Sequence, residues 1–76
     1  MPTKLAKAFG AALREYREKR DMSLLDLSLE SDVHRAYIWE LEHGRKNVSL
    51  ETAFKLAKAL DVPASELVKL TTKHMD

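Results

Sequence analysis

The chain has 76 residues, of which 13 are lysine or arginine and 12 are aspartate or glutamate, and it contains no cysteine. This length predicts one domain over residues 1–76, with a core over about residues 5–70. The lack of cysteine excludes disulfides and thiolate metal sites. Because no apolar run approaches the ~20 residues that span a bilayer and no secretory signal precedes the first helix pattern, we expect a cytoplasmic protein without membrane contact.

Five helices are predicted, since apolar side chains recur at three- and four-residue steps and no segment alternates like a β-strand. The first helix runs from Thr3 to Arg20. Its apolar stripe is formed by Leu5, Phe9, Ala12, Leu13 and Tyr16. The second helix opens at Ser23, whose hydroxyl can cap free backbone N–H groups, and ends near Glu30.

The third helix spans about His34 to His43, with Ile38 and Leu41 directed inward. It stops at Gly44, which adopts the left-handed conformation at little cost. Two short helices joined by a tight connection have the geometry that enters the major groove of DNA.

The fourth helix begins after Ser49 and the fifth after Val62-Pro63, since proline favours a helix start. Residues 71–76 are expected to be frayed. A second copy of so small a chain would add buried apolar area, so a homodimer is expected. Four apolar residues should be divided between the core and the dimer face: Phe54, Leu60, Leu67 and Leu70.

Charge is distributed unevenly along the chain. Residues 1–21 carry six basic and three acidic residues, whereas residues 22–33 carry three acidic residues and no basic one. Residues 34–47 carry three basic and two acidic residues. This distribution indicates a basic rim at the first helix and at the loop after the third helix, rather than a basic molecule.

The outward face of the third helix carries side chains that suit base edges. Arg35 can pair with guanine O6 and N7, Ala36 and Trp39 can contact thymine methyl groups, and Glu40 can accept from cytosine N4. His34, near the helix N-terminus, could meet a backbone phosphate.

Each of these residues also has an ordinary structural interpretation. Arg35 could be a solvated surface arginine, and Glu40 could repel phosphate without touching a base. Trp39 could pack against the second helix or a neighbouring subunit. We do not expect His34 and His43 to bind a metal, because no third ligand lies at a zinc-like spacing.

Glu42 falls on the inward arc of the third helix, where an unpaired carboxylate would be costly. Arg17 lies one turn beyond Leu13 on the flank of the first helix that faces it. The sequence therefore predicts an ion pair between Arg17 and Glu42.

These positions together resemble the Cro/C1-type helix-turn-helix family over about residues 8–70. The residues that carry the resemblance are Arg17, Ser23, Leu27, Val33, Ile38, Leu41-Glu42, Gly44, Ser49, Leu56-Ala57, Ala59-Leu60 and Val62. The short chain, with His-Arg-x-Tyr-Ile at 34–38 and Arg-Lys-Asn at 45–47, looks most like the controller proteins of restriction–modification systems.

The resemblance implies an all-α, five-helix, lambda-repressor-like domain that binds a near-palindromic operator as a homodimer and regulates transcription, often of its own promoter and that of a linked nuclease. The positions that match base contacts are His34, Arg35, Ala36, Tyr37 and Glu40, with Trp39 beside them. The positions that match phosphate contacts are Leu24, His43, Arg45, Lys46 and Asn47. We expect no cofactor and no enzymatic activity, because the one hydroxyl–imidazole–carboxylate set is scattered along a surface helix and so small a core leaves little room for a closed pocket.

The chain departs from the family pattern in four respects. Leu24 replaces the usual glutamine and can offer a phosphate only its backbone N–H. Asp21 and Asp32 stand where glycine is usual, in two left-handed turns. Small residues are expected at positions 28 and 39, where this chain has serine and tryptophan.

The fourth departure is an apolar strip on the second helix, where the family is commonly polar. Leu25 and Leu29 lie one turn apart and could be a contact surface for a second protein or simply surface leucines. An antitoxin or adaptor with a helix-turn-helix fold is thus the alternative function. Leu24, Leu25 and Leu29 with Trp39 would then form its docking strip.

Overall fold

The computed structural model describes residues 3–76, which form five helices and no strand. The helices are α1 (Lys4–Lys19), α2 (Leu24–Ser31), α3 (Arg35–Glu42), α4 (Leu50–Ala59) and α5 (Ala64–Met75). The all-α prediction and the order of its elements are confirmed. Within these residues, no helix is both long and apolar enough to cross a lipid bilayer.

Short polar side chains fix the helix starts. The hydroxyls of Thr3, Ser23 and Ser49 each accept a hydrogen bond from a backbone N–H in the first turn of α1, α2 and α4. These bonds satisfy donors that have no partner within the helix. The predicted caps at Ser23 and Ser49 are thereby confirmed.

Among residues 3–76, four residues with positive φ end helices or form turns. Gly44 (φ 68°) ends α3 as predicted, and Asp21 (58°) and Asp32 (59°) occupy the two left-handed turns that the family resemblance implied. Asp61 (58°) adds a third aspartate in this conformation, which the sequence did not indicate. Aspartate tolerates this region better than most residues with a Cβ atom.

The five helices enclose the core: α1 packs against α3 and α5, α2 packs against α3 and α4, and α4 packs against α5. Its buried apolar members are Phe9, Ala12, Leu13, Leu27, Val33, Ile38, Leu41, Ala53, Leu56, Ala57, Leu60 and Leu67. Burial of these side chains supplies the main driving force for folding.

Two of the four residues expected to be divided between the core and a dimer face lie in the core. Leu60 and Leu67 are 0% and 1% exposed, so neither is available to a subunit interface. Leu5, assigned to the apolar stripe of α1, is instead exposed. It is the second residue of α1 and lines an open groove together with Val68 and Met75 of α5.

The expectation that residues 71–76 are frayed is also wrong. Helix α5 continues to Met75, and Thr71 is buried, with its hydroxyl donating to the carbonyl of Leu67 at 2.8 Å. Near the C-terminus, His74 Nε2 lies 3.1 Å from Glu15 Oε1 of α1. The contact between His74 and Glu15 joins the last turn of α5 to α1.

Candidate nucleic-acid interface

Helix α3 buries one side and exposes the other. Ile38 and Leu41 are completely buried, whereas Arg35, Ala36, Trp39 and His43 are exposed. Tyr37 and Glu40 are half-buried at the edges of the exposed face. The inward and outward sides of the third helix are thus those that the 3.6-residue periodicity predicts.

The start of this face is shaped by His34 and Arg35. The ring of His34 caps α3, because its Nδ1 accepts a hydrogen bond from the N–H of Ala36 at 3.2 Å. Within residues 3–76, no carboxylate lies within ion-pairing distance of Arg35. Its guanidinium is therefore available to an external acceptor.

Trp39 is held by two neighbours at the end of α3. Its ring stacks on the imidazole of His43, with centroids 3.8 Å apart and an interplanar angle of 21°. The guanidinium of Arg45 lies 5.0 Å from the centre of the same indole, within cation–π range. Trp39 thus forms a fixed aromatic cluster on the exposed face.

The loop from α3 to α4 returns toward the exposed face. The N–H of Arg45 donates to the carbonyl of Glu40 at 3.0 Å, and Lys46 Nζ lies 3.5 Å from Glu40 Oε1. The hydroxyl of Thr3 donates to Asn47 Oδ1 at 3.2 Å and ties the start of α1 to this loop. The structure therefore brings Arg45, Lys46 and Asn47 next to the outward side of α3.

An internal ion pair fixes α3 relative to α1. Arg17 donates from Nε and Nη2 to the two carboxylate oxygens of Glu42, at 2.6 and 3.0 Å, and from Nη1 to the carbonyl of Met22 at 2.8 Å. The hydrogen bond to Glu42 raises the pKa of Arg17 above its usual value. The pair expected from the sequence is present, and it also anchors the connection that leads to α2.

A close approach at Gly10 was missed by sequence reasoning. A Cβ atom at this position would overlap the carbonyl oxygens of Leu41 and Glu42, so only glycine allows α1 to cross α3 at this distance. The available signal was a lone glycine inside a strongly helical pattern. The last turn of α3 therefore lies directly on α1.

Helix α2 begins beside this face with a reciprocal cap. Ser23 Oγ accepts from the N–H of Asp26, and the Asp26 carboxylate accepts from the N–H of Ser23, both at 2.9 Å. The hydrogen bond from the Ser23 backbone lowers the pKa of Asp26. Leu24, the first residue of α2, packs its half-buried side chain against the core, which leaves its backbone N–H as its polar group at the surface.

A second exposed face is apolar and lies on α1, α4 and α5. Leu5, Leu50, Phe54 and Val68 are all more than half exposed. All of them but Phe54 line an apolar groove, together with Phe9, Val48, Ala53 and Met75. Of these exposed residues only Phe54 was singled out from the sequence for a dimer face. Periodicity could not find the others, since it identifies apolar faces but not which of them another helix covers.

The chain matches known proteins in sequence and in structure. The helix-turn-helix family matches residues 13–67. The control protein C.BamHI from Bacillus amyloliquefaciens is 40% identical over 73 residues, which cover 95% of this chain and 90% of that protein. The structure of the restriction–modification controller protein C.AhdI from Aeromonas hydrophila is 40% identical, with a TM-score of 0.79, and the match covers 82% of this chain and 94% of that one.

A further similar structure is the clp gene regulator ClgR from Corynebacterium glutamicum. It is 33% identical, with a TM-score of 0.90, and the match covers 99% of this chain and 80% of that one. The family match covers more than half of the chain, and C.BamHI aligns with it over nearly its whole length. This chain therefore belongs to the Cro/C1-type helix-turn-helix family, the family that its own residues resemble.

Proposed function

We propose that this protein is a sequence-specific DNA-binding regulator of transcription that acts as a homodimer on a near-palindromic operator. The observation that carries this proposal is the outward face of α3. This face carries an unpaired Arg35 and a fixed aromatic cluster, and it lies beside a basic loop. Arginine reads guanine bidentately in the major groove, and cations beside a recognition helix contact phosphates.

The contacts to DNA fall into two groups in this proposal. The side chains that would contact base edges are His34, Arg35, Ala36, Tyr37, Trp39 and Glu40. The groups that would contact phosphates are the backbone N–H of Leu24 and the side chains of His43, Arg45, Lys46 and Asn47. All but Leu24, Tyr37 and Glu40 are exposed, and those three are half-buried.

The hydrogen bonding of His43 restricts how it can contact phosphate. Its Nδ1 lies 2.8 Å from the carbonyl of Trp39, which can only accept, so Nδ1 carries the proton. In the neutral ring Nε2 is then an acceptor and faces phosphate unfavourably. A phosphate contact through Nε2 therefore requires the doubly protonated ring, in which both nitrogens donate.

The proposed dimer uses the apolar face of α4 and α5. Phe54 and Val68 are each 56% exposed, and Leu50 is 73% exposed. Exposed apolar clusters of this kind mark interaction surfaces. The half-buried Leu70 remains an expected member of this interface. In a two-fold dimer the two α3 helices would lie ~34 Å apart, one turn of duplex.

The dimer face is tested with Phe54→Glu and Val68→Glu, compared with Leu29→Glu as a control on an exposed leucine of α2. We expect the first two variants to sediment as monomers in analytical ultracentrifugation and the control to match the wild type. Unchanged mass for both α4 and α5 variants would remove this face from the proposal.

DNA binding is tested by selecting duplexes from a random library and measuring affinity over a range of salt. If a dimer neutralises ~8 phosphates, log K should fall with log salt at a slope of roughly −7. Arg35→Ala should abolish the preference for the selected duplex, whereas Asn47→Ala, at a proposed phosphate contact, should weaken all duplexes alike. Equal loss on selected and random DNA for Arg35→Ala would contradict the assignment of Arg35 to base reading.

The controller role is the finer part of the proposal. It is supported by 40% identity to two proteins named as restriction–modification controllers or control proteins. An endonuclease and a methyltransferase gene beside this one would support it. A cytoplasmic location follows from the proposed partner, DNA.

A second protein partner is suggested by two exposed leucines on α2. Leu29 is 74% exposed and Leu25 about half exposed, one turn apart, which is the observation behind the antitoxin or adaptor alternative. We expect Leu25→Glu with Leu29→Glu to alter reporter transcription without changing operator affinity in vitro. An unchanged reporter would mean that both are ordinary surface leucines.

A further inference from the structure

Glu40 places a negative charge on the face proposed to meet a polyanion. Its carboxylate lies 3.5 Å from Lys46 Nζ, and the two side chains are 35% and 53% exposed. The hydrogen bond from the N–H of Arg45 to the carbonyl of Glu40 turns the loop back and sets Lys46 beside this carboxylate. The pair is therefore a product of the backbone path.

A phosphate and this carboxylate compete for the same lysine. An exposed ion pair is weak, so a phosphate can take Lys46 from Glu40. The carboxylate is then left without a cation next to the DNA, where like charges repel it. On a duplex that offers Glu40 no donor, the attraction of Lys46 to the phosphate and the repulsion of the Glu40 carboxylate oppose each other. The phosphate contact then adds little to the affinity.

A cytosine in the major groove changes this balance. Its N4 amino group is a donor that a glutamate can accept from. Once the carboxylate of Glu40 bonds to that amino group, Lys46 is released to phosphate and the repulsion is relieved.

We infer that Glu40 and Lys46 exchange partners on DNA, so that reading a cytosine by Glu40 is coupled to a phosphate contact by Lys46. This inference rests on the proposed function. It makes Glu40 a specificity-determining residue that acts in two ways, since it weakens binding to unrelated DNA and strengthens binding to the operator.

The test uses Glu40→Gln, which keeps the size of the side chain and removes its charge, together with Lys46→Gln and the double variant. The probes are a duplex of about 25 base pairs selected with the wild-type protein and a random-sequence duplex of the same length. Thermal unfolding of each variant checks that the fold is retained.

For Glu40→Gln we expect affinity for the random duplex to rise about threefold to tenfold, with a salt slope steeper by roughly one. The ratio of affinities for selected and random DNA should fall by at least about tenfold. When Glu40→Gln is added to Lys46→Gln, the gain in affinity for the random duplex should be only a small fraction of the gain in the wild-type background, because no lysine remains to be released.

The cytosine is located by replacing each C·G pair of the selected duplex in turn. At one pair, the wild type should lose about tenfold or more in affinity while Glu40→Gln is indifferent. If no such pair exists, the base-reading half of the exchange is overturned.

Three further outcomes are decisive. The inference is overturned if Glu40→Gln leaves the affinity for the random duplex unchanged or lowers it. It is also overturned if Glu40→Gln raises that affinity equally in the Lys46→Gln background, which would indicate simple repulsion of the carboxylate by DNA. In both cases, loss of preference in Arg35→Ala would leave the proposed function standing. A wild-type protein that prefers no duplex would instead remove the proposed function itself.

Discussion

Two glutamates on α3, two residues apart, form ion pairs on opposite sides of the helix. Glu42 holds Arg17 through two hydrogen bonds, and the two side chains are 3% and 14% exposed. Glu40 pairs with Lys46 through a single contact, 3.5 Å between Oε1 and Nζ, that is exposed to solvent. The same side chain thus has a structural role where water is excluded and an exchangeable partner where water competes.

Removing one charge from each pair should separate the two roles most clearly. Glu42→Gln should lower the free energy of unfolding by about 3 kcal/mol, because the Arg17 guanidinium is left partly buried without its counter-charge. The matched variant Glu40→Gln should change it by less than about 0.5 kcal/mol. Urea unfolding measures both, and similar values for the two variants would contradict the comparison.

The internal side of α3 can also be disrupted without touching a charge. Gly10→Ala should destabilise by about 2 kcal/mol, since the added methyl group meets the backbone of Leu41 and Glu42 and must push α3 away. On propensity alone, alanine in a helix is more stable than glycine by about 1 kcal/mol. The sign of the change in the free energy of unfolding, measured with urea, therefore shows whether packing or helix propensity dominates at this position.

Salt should act on the two pairs differently. Raising ionic strength from about 0.05 M to about 0.5 M screens exposed charges far more than buried ones. The stability lost in Glu42→Gln should thus stay constant within about 0.5 kcal/mol across this range, because its pair is shielded from solvent. A loss that disappears at high salt would mean that water reaches Arg17 and Glu42.

A third carboxylate, Asp26 on α2, provides the smallest effect. Its pKa is lowered by the hydrogen bond from the Ser23 N–H, so it stabilises the fold above its unfolded pKa and loses this contribution as pH falls through the lower, folded pKa. Asp26→Asn keeps an acceptor for the cap but does not titrate. The difference in urea midpoint between wild type and variant should therefore shrink from about pH 7 to about pH 3. A constant difference would mean that the ionised form is not what the cap requires.

Part of the candidate DNA-binding face could be predicted from the sequence. Ile38 and Leu41 fix which side of α3 is buried, and that periodicity alone leaves Arg35 and Trp39 outside. The Arg17–Glu42 pair could also be predicted, because a glutamate on an inward arc requires a cation and only the first helix offered one nearby. The contacts among exposed side chains could not be predicted, since they depend on how the loop after Gly44 returns.

Trp39 illustrates that limit. Its sequence position allowed a base contact, packing on α2 or a subunit contact. In the structure it stacks on His43 and lies under Arg45, which are four and six residues away. One turn of helix brings His43 to the indole, but Arg45 arrives only because the chain reverses at the left-handed Gly44.

The sequence by itself determined the five helices, the caps at Ser23 and Ser49 and the turn at Gly44, because these depend on hydrogen bonds between residues three or four positions apart. Only the tertiary structure decided which apolar residues are covered. Leu60 and Leu67 are enclosed, whereas Leu5, Leu50 and Val68 remain outside, although all five are apolar and lie in or beside helices. Burial is a property of how helices pack against one another, and no local pattern of residues records the angle or distance at which they meet.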